Sequence, residues 1–369
     1  MRILQVMPTL GHGGISMMMK MYGKELEKYG VVFDYLHHGK PEDFHREIES
    51  TGSKIFCIPN LTKCGYLKYK QLLKKIIKEN GPYDAMHINM NYMSGRYANI
   101  AHNTGIPKCI IHVHGNSFYK KYLKLLLPLF RYDIRKNGDV LCADSSTCGD
   151  YYYQTNPYHV IPVAIDTDIY DGLENKRNKV RAKFGLSEND FAIGHIAAFY
   201  EVKNHKFDVE LLRALKDCRT DIIYKMIFAG DGPLKNSIED NFRKAGLNNE
   251  TVFLGNIDYI PEYLSAMDLT VLPSFSEGFG QVLVQSQMAG IPCIASDSLP
   301  RETDMHLGII HYLPIEGSNA IDSWIESIQN IGRKRLDYAT CKKGLDISGY
   351  SIDVAAKKLY ELYKGSSNG

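Results

Sequence analysis

The segment at positions 273–285, PSFSEGFGQVLVQ, holds the residues whose types and order point most directly to chemistry. An apolar run at 269–272 precedes it, and we predict that this run is a strand whose end faces a ligand. Glu277 would then accept hydrogen bonds from sugar hydroxyls, while Gly278 and Gly280 would let a ligand approach the backbone. Because a helix opens at these glycines, its free N–H groups favour a diphosphate. The alternative from the residues alone is an acid that interacts only with the dipole of its own helix.

Histidines and a glycine-rich loop mark the first half of the chain. His112 and His114 end one apolar run and His87 ends another, although a lone histidine is more often structural than functional. The loop at 11–16, GHGGIS, follows the first predicted strand and precedes a helix. As a dinucleotide-binding motif it is weak, because Ser16 stands where the third glycine belongs. The alternative is a tight turn without a ligand.

The composition predicts a globular protein of two domains. The chain has 369 residues, 44% hydrophobic and 23% charged, and its net charge of +2 gives no reason to expect a nucleic-acid partner. None of the eight cysteines forms a C-x-x-C pair or a zinc-like cluster with histidine, so we predict reduced thiols, a cytoplasmic location and no metal site. We expect neither a signal peptide nor a transmembrane helix, because no apolar run is long enough.

Short apolar runs alternate with segments of helical period along the chain, which predicts parallel sheets covered on both faces. In the first half we predict strands at 2–7, 31–36, 54–58, 84–88, 109–112 and 140–142, and helices at 16–29, 66–79, 94–102 and 118–135. In the second half we predict strands at 191–196, 224–228, 252–254, 269–272, 293–295 and 309–312, and helices at 206–216, 233–245, 260–266 and 281–289.

Two such series in succession predict two Rossmann-like, doubly wound parallel-sheet α/β domains that face each other across a cleft. We place an N-terminal domain at 1–170 and a C-terminal domain at 171–349, with the seam at a polar stretch near 165–179. A last helix, at about 350–366, is expected to pack back on the N-terminal domain.

Residues 268–304, DLTVLPSFSEGFGQVLVQSQMAGIPCIASDSLPRETD, resemble the donor-site signature of glycosyltransferase family 4. Three more segments extend the resemblance through most of the chain. Positions 2–16 resemble the family's first strand and glycine loop, 228–234 (FAGDGPL) its second-domain turn, and 252–255 (VFLG) the strand before its base-binding loop. The resemblance implies a retaining enzyme of the GT-B type, and members close to this pattern build capsular polysaccharides and exopolysaccharides.

The resemblance also implies roles for individual residues. As candidate catalytic residues, Glu277 contacts the donor sugar, Lys203 neutralises the leaving diphosphate, and His114 contacts the sugar from the N-terminal domain. The implied donor-binding residues are Gly13, Gly14, Gly278, Phe279, Gly280, Gln285 at the ribose and Ile257 in the base-binding loop. From the residues alone, the alternative for Lys203 is an ordinary solvated lysine.

Two positions depart from the family's pattern. Gln285 stands where the family has a second Glu that holds the ribose hydroxyls, and an amide lacks the charge that strengthens such hydrogen bonds. Ala198 stands where the family has an Arg, five residues before Lys203, so one of two cations at the leaving group is missing.

The stretch at 118–136, FYKKYLKLLLPLFRYDIRK, mixes basic residues with Leu and Tyr. This pattern is typical of a helix that lies on an anionic membrane surface, where a lipid-linked acceptor would be found. The alternative is a helix that packs in the core with one solvated face.

We therefore predict a hexosyltransferase-type glycosyltransferase in the cytoplasm or at the inner face of the membrane, with no cofactor and no metal. It would move a sugar from a nucleotide-sugar, with UDP the expected nucleotide, to a saccharide or lipid-linked saccharide in surface polysaccharide biosynthesis. The sequence reveals no covalent nucleophile, which agrees with the same-face substitution described for retaining family members. The alternatives are a catalytically impaired binding subunit, a nucleotide-sugar epimerase, and a Rossmann oxidoreductase, which the imperfect glycine loop disfavours.

Overall fold

Two parallel sheets, each in its own unit, organise the chain. The computed structural model describes residues 1–11, 14–39, 48, 52–115, 121–218, 221–257 and 259–365. The first unit comprises Met1–Ala164 with Gly349–Gly369, and the second comprises Ile165–Ser348. The predicted fold class, two doubly wound parallel-sheet α/β domains, is confirmed.

In the first unit, the described strands form one seven-stranded parallel sheet. They are β1 (Arg2–Met7), β2 (Val32–His37), β3 (Ile55–Cys57), β4 (Ala85–Ile88), β5 (Cys109–Val113), β6 (Val140–Ala143) and β7 (His159–Val160). The helices between them are α1 (Gly14–Leu26), α2 (Leu61–Cys64), α3 (Tyr66–Asn80), α4 (Ser94–His102), α5 (Leu127–Asn137) and α6 (Ser146–Tyr153). The strand order is β3-β2-β1-β4-β5-β6-β7.

Strand β1 shows why this sheet lies in the interior of its unit. Side chains alternate between the two faces of a strand, and here buried apolar side chains lie on both faces. Leu4 and Val6 pack in one hydrophobic cluster, and Ile3 and Met7 pack in another. Helices therefore cover both faces of the sheet, as a parallel sheet requires.

In the second unit, the described strands form a six-stranded parallel sheet with the order β10-β9-β8-β11-β12-β13. They are β8 (Asp190–Ile196), β9 (Ile223–Ala229), β10 (Thr251–Phe253), β11 (Leu269–Leu272), β12 (Cys293–Ser296) and β13 (Ile310–Leu313). The helices are α7 (Arg177–Lys183), α8 (His205–Asp217), α9 (Lys235–Lys244), α10 (Ile260–Ala266), α11 (Gln281–Met288), α12 (Ala320–Ile331) and α13 (Tyr338–Ile347).

After the second unit, the chain returns to the first as helix α14 (Ile352–Lys364). The buried residues Ala356, Leu359 and Tyr363 recur at helical spacing and pack in one cluster with Tyr22 of α1. Among the described residues, no helix combines the length and the apolar character that crossing a membrane requires. All eight cysteines are free thiols.

Each sheet has a switch point, where the strand order reverses. It lies between β1 and β4 in the first sheet and between β8 and β11 in the second. Ligands of open parallel sheets bind beyond the carboxyl ends of the strands at such points. A ligand site is therefore expected in the loops that follow these four strands.

Two segments differ from their sequence-based interpretation. The polar stretch near 165–179, for which the sequence predicts no helix, runs into α7, where the buried Arg181 guanidinium bonds Asp268. The single helix predicted at 118–135 is a 3-10 turn, Lys121–Leu126, followed by α5, and 118–120 lie outside the described residues. Pro128 lies in the first turn of α5, where an N–H has no partner within the helix.

Gly230, directly after β9, allows a close approach of two backbone segments. A Cβ at this position would lie 2.1 Å from the Ala197 carbonyl oxygen, and the φ of Gly230 is 140°. We therefore expect Gly230→Ala to destabilise the second unit by about 3 kcal/mol, since the backbone must move. Differential scanning calorimetry would measure the loss.

The matched control is Gly246→Ala. Gly246 has a φ of 69° but no atom within 4 Å of its Cβ position, so only conformational strain of about 1 kcal/mol is expected. Equal losses in the two variants would contradict the close approach at Gly230.

Candidate functional site

An ion pair joins the two loops that follow the switch-point strands of the second sheet. Lys203 ends a 3-10 turn (Glu201–Lys203) after β8, and Glu277 lies in the loop between β11 and α11. The Lys203 Nζ is 2.6 Å from each carboxylate oxygen of Glu277. The Ser274 hydroxyl donates a hydrogen bond to Glu277 Oε1 at 2.7 Å. Two predicted catalytic residues, 74 positions apart in sequence, are thus in direct contact.

Two further hydrogen bonds fix these loops against each other. The Asn204 side-chain amide donates to the Pro273 carbonyl oxygen at 3.1 Å, and the Phe275 N–H donates to the Val202 carbonyl oxygen at 2.9 Å. Asn204 has a φ of 56°, a left-handed conformation that Asn tolerates better than most residues. The hydrogen bonds between the two loops therefore help to fix the positions of the ammonium and carboxylate groups.

The predicted glycine loop leads from Glu277 into helix α11. Gly280 has a φ of 85°, which favours glycine, and the helix begins at the next residue. Phe279 is buried, and Gln285 is half-buried on the second turn of α11. Ile257 is half-buried in the loop after β10, the edge strand of the sheet, two strands away from β8.

The loop that contains Ala198 is paired with the turn after β9. The Ala197 N–H donates to the Ala229 carbonyl oxygen at 2.9 Å, and the Phe199 N–H donates to the Asp231 carbonyl oxygen at 3.0 Å. Ala198 itself is half-buried between these two contacts. Its methyl side chain brings no charge to the loop, so Lys203 lacks the second cation that the family resemblance would supply at this position.

A buried group of titratable residues packs close to Lys203. His195 Nδ1 lies 2.7 Å from Asp208 Oδ2 with both side chains fully buried, and His205 stacks on His195 with ring centroids 4.3 Å apart. Burial lowers the pKa of His195 and of His205 to about 3, and it raises the pKa of Asp208 to about 8. The group is therefore uncharged at neutral pH. It packs beside the turn of Lys203 and offers no carboxylate that would pair with the ammonium in place of Glu277.

In the first unit, His114 follows β5 and its backbone is held by one side chain. Asn91 Oδ1 accepts from the His114 N–H at 2.8 Å, and Asn91 Nδ2 donates to the His114 carbonyl oxygen at 3.0 Å. The ring is also fixed, because His114 Nε2 lies 2.8 Å from Asn89 Oδ1. Burial lowers the pKa of His114 well below its usual value, so the ring is neutral.

The remaining predicted positions of the first unit have different surroundings. Gly14 begins α1, and the space around its Cβ position is open. Gly13 lies outside the described residues. His87 is fully buried within the sheet, so it does not face a ligand.

Sequence reasoning missed several side chains that build these sites, namely Ser274, Asn204, Asp208 and Asn89. Ser274 and Asn204 lie within three residues of Glu277 and Lys203, so their positions offered a signal. Asn89 follows β4 at the switch point of its sheet, which is also a recognisable position. Asp208 gave no signal, because a carboxylate on a helix is normally expected to face solvent.

One group in the described part of the chain has metal-ligand chemistry. His102, Cys109 and Asp139 place three potential ligand atoms within 4.8 Å of one another. The two His102 ring nitrogens face backbone carbonyl oxygens at 3.3 and 3.1 Å, and burial raises the pKa of the Cys109 thiol. A metal would have to displace a carbonyl and deprotonate this thiol. Cys109 begins β5, at the opposite end from His114, so the group forms no part of the candidate site.

Comparison with known proteins identifies similar sequences. The profile of the family described as glycosyl transferases group 1 matches residues 176–304. EpsF of Bacillus subtilis (strain 168), named as a glycosyltransferase, is 32% identical over 99% of this chain and 97% of EpsF. The UDP-Gal:α-D-GlcNAc-diphosphoundecaprenol α-1,3-galactosyltransferase of Escherichia coli is 26% identical over 79% of this chain and 77% of that enzyme.

Solved structures share the fold over nearly the whole chain. The crystal structure of Anabaena Alr3699/HepE in complex with UDP aligns with a TM-score of 0.78 over 99% of this chain and 100% of HepE, at 17% identity. This likeness confirms the predicted GT-B type of fold.

The contact between Lys203 and Glu277 can be tested by a double-mutant cycle. We expect Lys203→Met and Glu277→Gln each to destabilise the second unit, and the double variant to lose less than the sum, with a coupling of about 1 kcal/mol. The pair couples because its side chains are only 23% and 10% exposed. Chemical denaturation would measure the free energies of unfolding.

The control cycle uses Lys206 and Glu201, a neighbouring pair whose side chains are 64% and 71% exposed. Solvent screens such a pair, so its two substitutions should be additive. Additive losses at Lys203 and Glu277 would contradict the ion pair.

Proposed function

Because the chain belongs to the group 1 glycosyltransferases, we propose that it transfers a hexosyl residue from a UDP-sugar to a saccharide or lipid-linked saccharide in surface polysaccharide biosynthesis. The observation that carries this proposal is the contact of Lys203 with Glu277 at the switch point of the second sheet, beside a glycine loop that opens a helix. A nucleotide-sugar requires cations for its phosphates and acceptors for its hydroxyls. This pair supplies one of each.

In the proposal, the ion pair is the resting arrangement that the donor replaces. A diphosphate carries more negative charge than one carboxylate, so Lys203 transfers its hydrogen bonds to the phosphate oxygens. The backbone of Gly278, Phe279 and Gly280 leads into the start of α11, where the helix dipole favours the negative charge of the diphosphate. Glu277 keeps the Ser274 hydroxyl as a donor and gains the hydroxyls of the sugar in place of the ammonium. One exchange therefore prepares both halves of the donor site.

Transfer with retention of configuration requires the acceptor to attack the face from which the diphosphate leaves. The bond between the anomeric carbon and the phosphate oxygen breaks, and a bond to the acceptor oxygen forms. The hydroxyl proton of the acceptor passes to the departing phosphate. Lys203 stabilises the charge that develops on the diphosphate, and Glu277 holds the sugar ring in position.

Names of relatives support the proposed substrate classes. The Escherichia coli relative is named for UDP-Gal as donor and for an acceptor linked to diphosphoundecaprenol, and the HepE crystals contain UDP. A further relative, TuaC of Bacillus subtilis, is named for teichuronic acid biosynthesis. By analogy with these proteins, we propose a UDP-sugar as the donor of the present chain and a lipid-linked saccharide as its acceptor.

The proposal predicts that one UDP-sugar stabilises the protein and is turned over. At a concentration one hundred times its Kd, a ligand adds about 2.7 kcal/mol of stability, which thermal shift detects. We expect Glu277→Ala to reduce transfer or hydrolysis at least about 100-fold, because the sugar loses its acceptor. Glu210→Ala, on the exposed face of α8, is the matched control and should leave turnover unchanged.

Each other outcome selects a different function. Binding without turnover, with activity gained in Ala198→Arg or Gln285→Glu, would replace the proposal by a catalytically impaired binding subunit. Conversion of the sugar without any acceptor would indicate an epimerase. If no UDP-, GDP- or ADP-sugar binds, the proposal is wrong.

We further propose that the first unit contacts an anionic membrane through an apolar ridge. The ridge consists of large side chains that are 43% to 83% exposed: Leu125, Leu126, Leu129 and Tyr132. Buried neighbours in the same segment, Leu127, Phe130 and Ile134, anchor it to the core. The segment is therefore both a core-packing helix and a carrier of exposed apolar groups, so the two readings of its sequence are compatible.

Charge next to the ridge selects the partner. Lys124, Arg135 and Lys136 are exposed beside the four apolar side chains. Apolar groups can enter the acyl boundary of a membrane while basic side chains contact anionic headgroups. Each Lys or Arg near such a surface contributes about 1 kcal/mol to binding. A membrane with anionic lipids fits this combination.

We expect the protein to co-sediment with phosphatidylglycerol vesicles more than with phosphatidylcholine vesicles, and less so as salt is raised. Leu125→Ser with Leu129→Ser should weaken binding at least about tenfold, because two apolar side chains no longer enter the bilayer. The control is Ile347→Ser, which removes a side chain that is 76% exposed in the second unit. Equal binding by the ridge variant would contradict the membrane contact.

A further inference from the structure

A row of buried polar side chains runs through the centre of the first sheet and ends at His114. The members belong to different elements: Gln5 of β1, His87 of β4, Asn89 after β4, His112 of β5 and Tyr363 of α14. None of these five is more than 5% exposed. Buried polar groups must satisfy one another, so the direction of each hydrogen bond constrains the next.

The direction is set at a backbone carbonyl. His112 Nε2 is 3.1 Å from the Ile161 carbonyl oxygen, which can only accept, so this nitrogen carries the proton. In a neutral ring the other nitrogen must accept, and His87 Nε2, 3.2 Å from His112 Nδ1, is therefore the donor. By the same argument His87 Nδ1 accepts, and the Tyr363 hydroxyl donates to it at 2.6 Å.

The same logic continues through two amides. Gln5 Nε2 lies 3.4 Å from the accepting His87 Nδ1 and 3.2 Å from the Tyr363 oxygen, so the nitrogen of this amide faces them. Gln5 Oε1 then accepts from Asn89 Nδ2 at 3.2 Å. Asn89 Oδ1 is left to face His114 Nε2 at 2.8 Å, and that nitrogen must donate.

All three imidazoles are neutral, as this chain of bonds requires. Burial lowers the pKa of His112 to about 3, and it lowers the pKa of His87 and of His114 well below the usual value. Each ring therefore carries one proton. For His114 that proton lies on Nε2, which leaves a lone pair on Nδ1.

We propose that Gln5 and Asn89 are positioning residues that hold His114 in the Nε2–H tautomer, so that Nδ1 accepts a hydrogen bond from a hydroxyl of a bound sugar. The inference rests on the proposed function, which supplies the ligand class. The Nδ1 atom does not bond the nearby carboxylate, because it lies 3.9 Å from Asp144 Oδ2, too far for a direct hydrogen bond. A sugar hydroxyl can donate to this nitrogen.

The first test is NMR of the ligand-free full chain labelled with 15N-histidine, with the His114 signals assigned from a His114→Gln variant. A bare ring nitrogen resonates far downfield of a protonated one, so the tautomer is read directly. We expect one neutral form, with the proton on Nε2. A proton on Nδ1, or on both nitrogens, would overturn the proposal without any assay of activity.

The second test interrupts the row of side-chain hydrogen bonds at a residue that does not contact His114. In Gln5→Leu the Asn89 amide is free to reverse, so we expect a mixture of His114 tautomers and a KM for the nucleotide-sugar raised about fivefold with kcat little changed. Tyr153→Phe is the matched control. It removes a buried hydroxyl of the same unit that donates to two backbone carbonyls and takes no part in this row of hydrogen bonds. Unchanged tautomers in Gln5→Leu would overturn the positioning role. If that variant does not fold, Asn89→Leu removes the direct partner of His114 Nε2, and a mixture of tautomers is again expected.

The two levels of the proposal fail separately. The predicted tautomer with no turnover of any nucleotide-sugar would contradict the proposed function and leave the hydrogen-bond chain intact. Turnover with the opposite His114 tautomer would contradict the deduced direction of the hydrogen bonds and leave the proposed function intact.

Discussion

The second unit is organised around two opposite charges that must stay close to each other without being buried completely. Lys203 and Glu277 follow adjacent strands, and their loops are joined by the Asn204 and Phe275 hydrogen bonds. The attraction between the two charges is worth about 1 kcal/mol, which alone does not fix two loops in position. The geometry of the pair depends instead on the parallel sheet, which brings two carboxyl ends side by side, and on the uncharged His195–Asp208 contact. The scaffold thus holds a charged contact that a ligand can rearrange.

Much of the fold could be predicted from the sequence because the elements follow simple periods. Strands β1 and β11 and helices α4 and α10 begin and end where the apolar pattern indicates. Helix α7 could not be predicted, because it packs through buried Arg181 and its contact with Asp268, and charged residues in a short segment resemble a linker. Helix α12 was missed although Trp324 and Ile328 lie one turn apart on its buried face. Helix α13 also carried a signal, since Asp337 caps its first turn.

The candidate site was predictable as a set of residue types but not as a set of contacts. Glu277 and the glycines beside it stand out because few other segments combine a carboxylate with a helix opening at a strand end. The contact of Lys203 with this carboxylate follows only from the strand order, which places β8 beside β11. The surroundings of His114 were less accessible still. Gln5 lies inside an apolar strand, and its partners are 82 or more positions away in sequence, so no local pattern reveals them.

The return of helix α14 to the first unit has a consequence for how the protein is made. The second unit is one uninterrupted stretch of chain, whereas the first needs a segment that follows the whole of the second in sequence. A chain that leaves the ribosome from its amino end can therefore complete the second unit before the first. Until α14 arrives, β1 lacks part of its cover and His87 lacks the Tyr363 hydroxyl. The unit that is translated first is thus the last to become complete, and it has to remain partly open while its neighbour folds.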